Sequence, residues 1–332
     1  MTTSKTSRTP RATSVRDPHT PAARLDTTPN PAAVAQLTPT PELLAELEAA
    51  VPAQRCVTDE PELALPPLDA EARTELADVM AGRAGTYALL ARLYRTEMDA
   101  GLLERLRDTR FPARSGNDDT DAGYRLIATY LSNVWEDSLV ELAKDYVRAF
   151  VGHTGEHIAA AYPFESAYTS EKRLLMQEAR DEVLALYRAA GLKKRDTWRD
   201  GEDHIALELE YMQALAQRCV ALLRADDDGA EADSENVDHV DMPNASTNMR
   251  GVELLLRAQH NFLEDHLARW VPAFTRDVET YAMTDFYRGV ARLTRGFVET
   301  DGEFTRETFG LDDPSKVEAH EAQLGARDNP ET

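Results

Sequence analysis

The sequence has little cysteine and a deficit of basic residues. Cys56 and Cys219 are its only cysteines and lie far apart, which excludes a disulfide framework and a cysteine-based zinc or iron–sulfur site. This usage is typical of a reducing compartment. Lys and Arg number 37 against 59 Asp and Glu, a net charge of −22. Nucleic-acid binding needs a basic surface, so nucleic acid is excluded as a partner and cationic partners are favoured.

Long hydrophobic runs are also missing. No uninterrupted apolar run approaches the roughly 18 residues that a membrane span requires, and the amino terminus has no apolar segment of the signal-peptide type. Prolines at positions 10, 18 and 21 would break the amphipathic helix of a mitochondrial transit peptide. We therefore expect a cytoplasmic protein without a membrane span.

Proline and helical periodicity divide the chain into unequal parts. Eleven of the 17 prolines precede residue 68, in a Thr-, Ala- and Ser-rich stretch that predicts a disordered extension over 1–68. A short helix over 41–50 (PELLAELEAA) is plausible within it, with proline in its first turn. From Asp69 onward apolar residues recur every three or four positions, and β-branched residues are sparse. This pattern predicts one all-α domain over 69–310.

One helix is predicted around the apolar stripe Leu76, Met80, Ala84, Tyr87, Ala91 and Tyr94. Further helices are predicted over about 99–109, 121–134, 136–151, 168–190, 203–224, 246–269 and 283–299. Eight acids and no basic residue lie between positions 225 and 241. Such a block repels itself, so we expect a flexible acidic loop over 226–242 that joins two core helices. The remaining residues, 311–332, are expected to form a flexible tail.

One short motif suggests metal chemistry. His153, Glu156 and His157 spell the H-x-x-E-H pattern of inverted zinc peptidases. A metal-dependent helical hydrolase is therefore one alternative function. The glycines at 152 and 155 favour a loop, however, whereas the zinc chemistry needs both histidines on one helical face. No Glu-x-x-His pair, phosphate-binding glycine loop or Gly-x-Ser-x-Gly elbow occurs.

Three segments combine aromatic, acidic and turn residues beyond what a plain helical bundle needs. The first joins Asp145-Tyr146-x-x-x-Phe150 to Tyr162-Pro163-Phe164-Glu165-Ser166-x-Tyr168. The second runs from Trp198 through Asp200-Gly-Glu202-Asp203-His204 to Met212, and the third contains His266-Leu-x-x-Trp270-x-Pro272. Residue chemistry alone leaves an ordinary interpretation open, in which Asp203 is a helix cap and the Pro163 loop covers the core.

Taken together and in this order, the segments resemble the TorD/DmsD/NarJ family of redox-enzyme maturation chaperones. The resemblance covers about residues 75–300 and places the family's Asp-His pair at Asp203 and His204. The usual Glu-Pro before that pair is Asp200-Gly201 here. The resemblance implies a single all-helical TorD-like domain. It also implies that His266, Trp270 and Pro272 are structural signature residues.

The function implied by the resemblance is that of a chaperone and not of an enzyme, and no cofactor is expected. Its partner would be the catalytic subunit of a molybdopterin oxidoreductase of the DMSO-reductase type. Family members bind the twin-arginine signal peptide of that subunit and delay export until the molybdenum cofactor is inserted, whereas NarJ-like members serve subunits that stay inside.

A receptor for two guanidinium groups followed by an apolar stretch needs carboxylates beside an aromatic-lined groove. The expected client-binding residues are Tyr146, Phe150, Pro163, Phe164, Glu165, Ser166, Tyr168, Trp198, Glu202, Asp203 and His204. A helical adaptor for an unrelated basic partner is a further alternative. The sequence leaves open whether the chain forms a homodimer.

Overall fold

The computed structural model describes residues 65–112, 114–152, 160–170, 175, 177–195, 197–228 and 245–311. The α-helices of these residues are, in chain order, α1 (Ala70–Arg95), α2 (Ala100–Asp108), α3 (Asp118–Ser132), α4 (Ser138–Tyr146), α5 (Ser166–Thr169), α6 (Glu178–Ala189), α7 (Ile205–Asp228), α8 (Ala245–Phe262), α9 (Ala268–Tyr281) and α10 (Asp285–Thr308). Two π-helical turns extend them, Val147–Val151 after α4 and Leu263–Leu267 between α8 and α9. Within these ranges no strand occurs, which confirms the all-α prediction.

The three longest helices organise the packing. Helix α1 lies along α7, which also contacts α8, while α3 and α9 pack on α10. The apolar stripe predicted along α1 is buried apart from its first member, Leu76. The stripe predicted along α7 is buried over its whole length and consists of Ile205, Leu209, Met212, Ala216, Cys219 and Leu223. Burial of these stripes supplies the main driving force for the fold.

Two glycines allow α3 and α10 to cross closely. A Cβ atom on Gly123 would lie 2.6 Å from the backbone nitrogen of Leu293, and one on Gly289 would lie 2.9 Å from the carbonyl oxygen of Gly123. Any larger residue at either position would therefore force the two helices apart.

A buried ion pair joins α1 to α10. Arg83 and Asp301 form a two-point contact through the guanidinium group, with 2.8 Å between Arg83 Nη2 and Asp301 Oδ2. The Tyr87 hydroxyl donates to the same carboxylate. All three side chains are buried, so each polar group is satisfied by another of the cluster.

The predicted disordered segments need correction at their edges. Leu65 packs against the hydrophobic core and Leu68 is half-buried, so the end of the 1–68 extension is part of the folded body. Helix α7 extends through Asp228 and includes the first three residues of the predicted 226–242 loop, because its packed backbone continues the helix past the last buried leucines. The predicted 41–50 helix, the rest of that loop and the tail beyond residue 311 lie outside the described residues.

Several predicted helices have different bounds, and the one predicted over 283–299 runs to Thr308 as α10. The segment 168–190 is not one helix, because α5 ends at Thr169, Ser170 is extended and α6 begins at Glu178. The helix predicted to end at 269 instead runs on as α9 past Pro272 to Tyr281. Trp270, on the same helix, is fully buried, so packing outweighs the N–H donor that the proline lacks.

The helices of the described ranges lack the features of a membrane span. None of them combines the necessary length with sufficiently apolar side chains.

Candidate functional site

Two of the predicted motif segments lie side by side. Phe164 and His204 form an isolated antiparallel bridge. In it the Glu165 N–H donates to the Asp203 carbonyl oxygen and the Ile205 N–H donates to the Pro163 carbonyl oxygen, both at 2.9 Å. The bridge holds the Pro163–Tyr168 loop against the start of α7. The structure thus brings together residues about 40 positions apart in the chain.

Asp203 precedes α7 in the chain but caps α5. It is fully buried, and its Oδ2 accepts hydrogen bonds from the Ser166 backbone N–H (3.1 Å) and the Ser166 hydroxyl (2.5 Å). Ser166 is the first residue of α5, so the carboxylate satisfies a free N–H group at that helix's amino terminus. The Asp203 Oδ1 atom has no hydrogen-bond partner in the described part of the chain.

Gly201 leaves room for this unpartnered oxygen. A Cβ atom at position 201 would lie 2.8 Å from Asp203 Oδ1 and 3.6 Å from the Phe164 ring. The glycine at this position therefore lets the backbone approach both the carboxylate and the ring.

His204 is held neutral between two aromatic rings. Its ring centroid lies 5.1 Å from that of Phe164 and 5.0 Å from that of Trp198, both edge to face. The Nδ1 atom accepts the Ala206 backbone N–H at 3.0 Å, which places the ring proton on Nε2. Burial, together with the charge of Arg95, lowers the pKa of His204 to about 3. The ring is therefore uncharged at neutral pH.

A second polar layer lies beneath this contact. The His266 Nδ1 atom is 3.0 Å from Glu165 Oε2, and the Trp270 indole N–H donates to Glu208 Oε2 at 3.1 Å. All four side chains are buried. Burial and the neighbouring charge of Glu165 raise the pKa of Glu208 well above its ordinary value.

Glu202 is paired with cations of the chain itself. Arg180 donates to Glu202 Oε2, and the Lys194 ammonium lies 2.7 Å from Oε1. Although burial opposes ionisation, the hydrogen bonds from Lys194 and Arg180 lower the pKa of Glu202. On the same side, the Arg95 guanidinium lies 5.8 Å from the Trp198 ring centroid and pairs with Glu210.

Tyr168 connects the motif loop to α9. Its ring stacks on Trp270 with centroids 5.6 Å apart, and its hydroxyl donates to Asp277 Oδ2 at 3.1 Å. Tyr168 and Asp277 are half-buried, as are Phe164 and Trp198. These aromatic side chains are the members of the predicted site that combine solvent access with a fixed position.

Tyr146 and Phe150 occupy a different environment from the one predicted. Both are buried, and Phe150 contacts the rings of Tyr94, Tyr146, Phe274 and Tyr287 at centroid distances between 5.0 and 6.3 Å. The prediction that Tyr146 and Phe150 line an open groove is therefore wrong. The π-helical turn that follows Tyr146 directs both rings toward the core. They support the site from the interior.

Glu165, Glu202, Asp203, Ser166 and Pro163 are buried as well, so the predicted carboxylates do not present free oxygens to solvent. His266 and Trp270 belong to the second polar layer, and half-buried Pro272 lies in α9.

Several residues of this site were not predicted from the sequence. Glu208 follows Ile205 by three residues and precedes Met212 by four, so it shares the buried face of α7 with them. An acid on a buried face is a signal that the sequence contains. Arg180, Lys194 and Asp277 come from distant segments, and local spacing carries no signal for their contacts.

The described ranges hold no candidate metal centre. Within them no group of three or more His, Cys, Asp or Glu side chains is placed to hold a metal ion. His153, Glu156 and His157 lie outside those ranges.

One family model and several known proteins are similar to this chain. A family model described as "Nitrate reductase delta subunit" matches residues 117–276, which include all predicted site and signature residues. "Chaperone protein TorD" of Vibrio cholerae serotype O1 (strain ATCC 39315 / El Tor Inaba N16961) is 25% identical over 174 residues, 52% of this chain and 66% of that protein.

"Chaperone protein TorD" of Photobacterium profundum is 27% identical over 169 residues, 51% of this chain and 66% of that protein. The protein of the same name from Shewanella pealeana (strain ATCC 700345 / ANG-SQ1) is 26% identical over 234 residues, 67% of this chain and 89% of that protein. The chain spans just under two thirds of the length of the Vibrio and Photobacterium relatives. The matched family model and these relatives show that the chain is similar to the TorD/DmsD/NarJ family of chaperones.

Proposed function

We propose that this protein is a cytoplasmic maturation chaperone for the catalytic subunit of a molybdenum-cofactor oxidoreductase. In this role it binds the subunit's twin-arginine signal peptide, the apo subunit or both, assists cofactor insertion and delays export. The matched family model and the relatives named as chaperones support the role. They also agree with the expectation that the chain is not an enzyme.

The observation that carries the proposal is the contact between the Pro163–Tyr168 loop and the start of α7. It fixes Phe164, Trp198 and Tyr168 as half-buried aromatic rings. Rings with one face accessible can pack against the apolar part of a peptide and against guanidinium planes. The buried layer behind them sets their positions, so the binding surface is formed before a peptide arrives.

The chain's own cations support a guanidinium-binding role. Arg180 donates a hydrogen bond to the Glu202 carboxylate, and Arg95 lies over the Trp198 ring and pairs with Glu210. An acid and an aromatic face that accept arginine within the chain have the chemistry to accept arginine from a client. We infer that the two arginines of the peptide exchange with these internal partners.

Electrostatics act in the same direction at longer range. The net charge of −22 attracts a cationic peptide and raises its association rate at low ionic strength. Added salt screens this attraction. Binding should therefore weaken with salt mainly through slower association.

Calorimetric titration tests the proposal. The full chain is titrated with twin-arginine signal peptides of molybdoenzymes encoded in the same genome and with Lys-Lys versions. The expected result is a dissociation constant of about 1 μM or lower for Arg-Arg, with affinity at least about tenfold weaker for Lys-Lys because lysine lacks the planar fork. Equal affinity for both would instead favour an adaptor for basic partners, and absence of binding would contradict signal-peptide recognition.

Two variants locate the interaction. Glu202→Gln removes a carboxylate and should weaken Arg-Arg binding, whereas Arg180→Gln removes the internal competitor and should strengthen it. Glu104→Gln, an exposed acid on α2, is the matched control and should change nothing. If all three variants bind alike, Glu202 is not part of the peptide site.

A further inference from the structure

An open apolar groove lies on the outer side of α4, away from the buried layer described above. Its volume is about 860 Å³, and Leu139, Val140, Ala143 and Val147 of α4 and its π-helical turn line it together with Met283. Val140 is 52% exposed and Met283 is 63% exposed. A cluster of exposed apolar side chains of this kind is typical of a surface that another segment covers.

The floor of the groove is rigid. The buried Asp145 carboxylate accepts the Met283 backbone N–H at 2.7 Å and the Thr284 backbone N–H at 2.8 Å. These bonds hold the loop before α10 against α4. The groove is thus a fixed feature between two elements, and an incoming helix would meet a preformed surface.

The rim of the groove carries both signs of charge. Lys144 and Arg148 lie one helical turn apart on it and form no ion pair within the described residues. Of the rim acids, Glu141 accepts the Tyr130 hydroxyl at 2.7 Å, while Glu97 lines the groove from the end of α1. The two unpaired cations favour an occupant with acids spaced one helical turn apart.

The chain's own amino-terminal part contains such a segment. Leu43, Leu47 and Val51 are spaced four residues apart, with Leu44 beside them, and Glu42 and Glu46 have the same spacing. The stripe 43, 44, 47, 51 repeats the spacing of the groove stripe 139, 140, 143, 147. Two such stripes present ridges at i and i+4 that can interdigitate.

We propose that residues 41–51 form an amphipathic helix that docks in the α4 groove, with its leucines on Val140 and Met283 and its glutamates beside Lys144 and Arg148. The linker from residue 51 to residue 65 has 14 residues and spans up to roughly 46–50 Å when extended. A domain of this size has a radius of gyration of about 18 Å. The short tether therefore reaches the groove and keeps the segment at high effective concentration.

Hydrogen–deuterium exchange of the full chain tests the docking without any client peptide. Amides of residues 43–51 should exchange at least about tenfold more slowly than unstructured peptide, whereas those of residues 1–25 should exchange freely. The protection should not depend on protein concentration. Unprotected amides at 43–51, or protection that appears only at high concentration and so indicates a second copy, would overturn the proposal.

Groove variants make the test specific. Val140→Asp with Met283→Asp should abolish the protection of 43–51, while Val79→Asp, a comparably exposed valine on α1 (45% exposed), should leave it intact. Lys144→Glu with Arg148→Glu should reduce it, and adding Glu42→Lys with Glu46→Lys should restore it. Protection that is insensitive to the groove variants would place the segment elsewhere and contradict the proposal. Circular dichroism checks that each variant is folded.

Discussion

Two buried polar clusters of this protein differ in charge balance. Between α1 and α10, Arg83 and Asp301 neutralise each other and Tyr87 completes the hydrogen bonding. Under the motif loop, by contrast, acids predominate. There Glu165 and Asp203 are buried with neutral His204 and with Glu208, whose pKa is raised by burial and by the charge of Glu165. His266 is the basic group that contacts Glu165.

The difference distinguishes an ion pair that stabilises the fold from an acid-rich cluster that supports the candidate site. A balanced pair can be explained by stability alone, because each charge satisfies the other. An excess of buried carboxylates is costly in the folded state, and Asp203 Oδ1 and Glu208 Oε1 lack hydrogen-bond partners within the described residues. We infer that the second cluster is retained because it positions Phe164, Tyr168 and Trp198.

The largest effect should come from breaking the balanced pair. Arg83→Met leaves the Asp301 carboxylate buried without its cation, which should lower the free energy of unfolding by about 3–5 kcal/mol. Urea denaturation measures the loss. Arg224→Met breaks the exposed pair with Asp78 and should cost at most about 1 kcal/mol. Similar losses of unfolding free energy for both variants would show that the buried pair does not stabilise the fold more than an exposed one.

Removing the Asp203 side chain should have the next largest effect. Asp203→Ala leaves the Ser166 N–H and hydroxyl without their acceptor and should lower the free energy of unfolding by about 1–3 kcal/mol. Asp200→Ala, three residues earlier and exposed, is the control and should stay within about 0.5 kcal/mol. An equal, small change at both positions would mean that Asp203 does not hold α5.

A smaller effect is expected at His204, with a defined pH dependence. Its folded-state pKa is about 3, below the value of about 6.5 in an unfolded chain. The unfolded state therefore binds the proton first, and stability is lost as pH falls from about 6.5 toward 3. His204→Asn keeps an acceptor for the Ala206 N–H, should cost about 1–2 kcal/mol at pH 7 through the lost ring contacts, and should flatten this acid limb. An unchanged limb in urea titrations would contradict a buried neutral His204.

The smallest destabilisation is expected at Glu208, together with a pH dependence of opposite slope. Its folded-state pKa is raised, so the folded state keeps a proton that the unfolded state releases above about pH 4.5. Stability is therefore lost as pH rises from there toward the folded-state pKa, by up to about 1.4 kcal/mol per pH unit. Glu208→Gln should remove this loss and be as stable as the parent chain, or more stable, at pH 7. A variant that is destabilised equally at every pH would show that Glu208 is ionised when folded.

The sequence predicted the fold well where periodicity decides the outcome. The stripes of α1 and α7 are buried as expected apart from Leu76. The candidate client-binding residues included both Phe164 and His204, which the structure places in contact. A cap role for Asp203 was anticipated, but its partner was not, because the helix that it caps begins 37 positions earlier in the chain.

The depth of individual side chains was harder to predict. Tyr146 and Phe150 follow a helical spacing that fits either a groove or a core, and the π-helical turn at Val147–Val151 decides for the core. The contacts of Glu202 with Arg180 and Lys194 join residues from different elements. Local patterns identify a face of a helix, whereas such pairs depend on how the helices assemble.

The position of the peptide footprint tests the central claim most directly. Hydrogen–deuterium exchange of the full chain is compared with and without a saturating twin-arginine peptide. The account predicts slower exchange in segments 163–168 and 197–205, around the aromatic rings and Glu202, and no change around Arg83 and Asp301. A footprint confined to other helices, or protection around the balanced pair alone, would contradict the assignment of the acid-rich cluster as the support of the client-binding site.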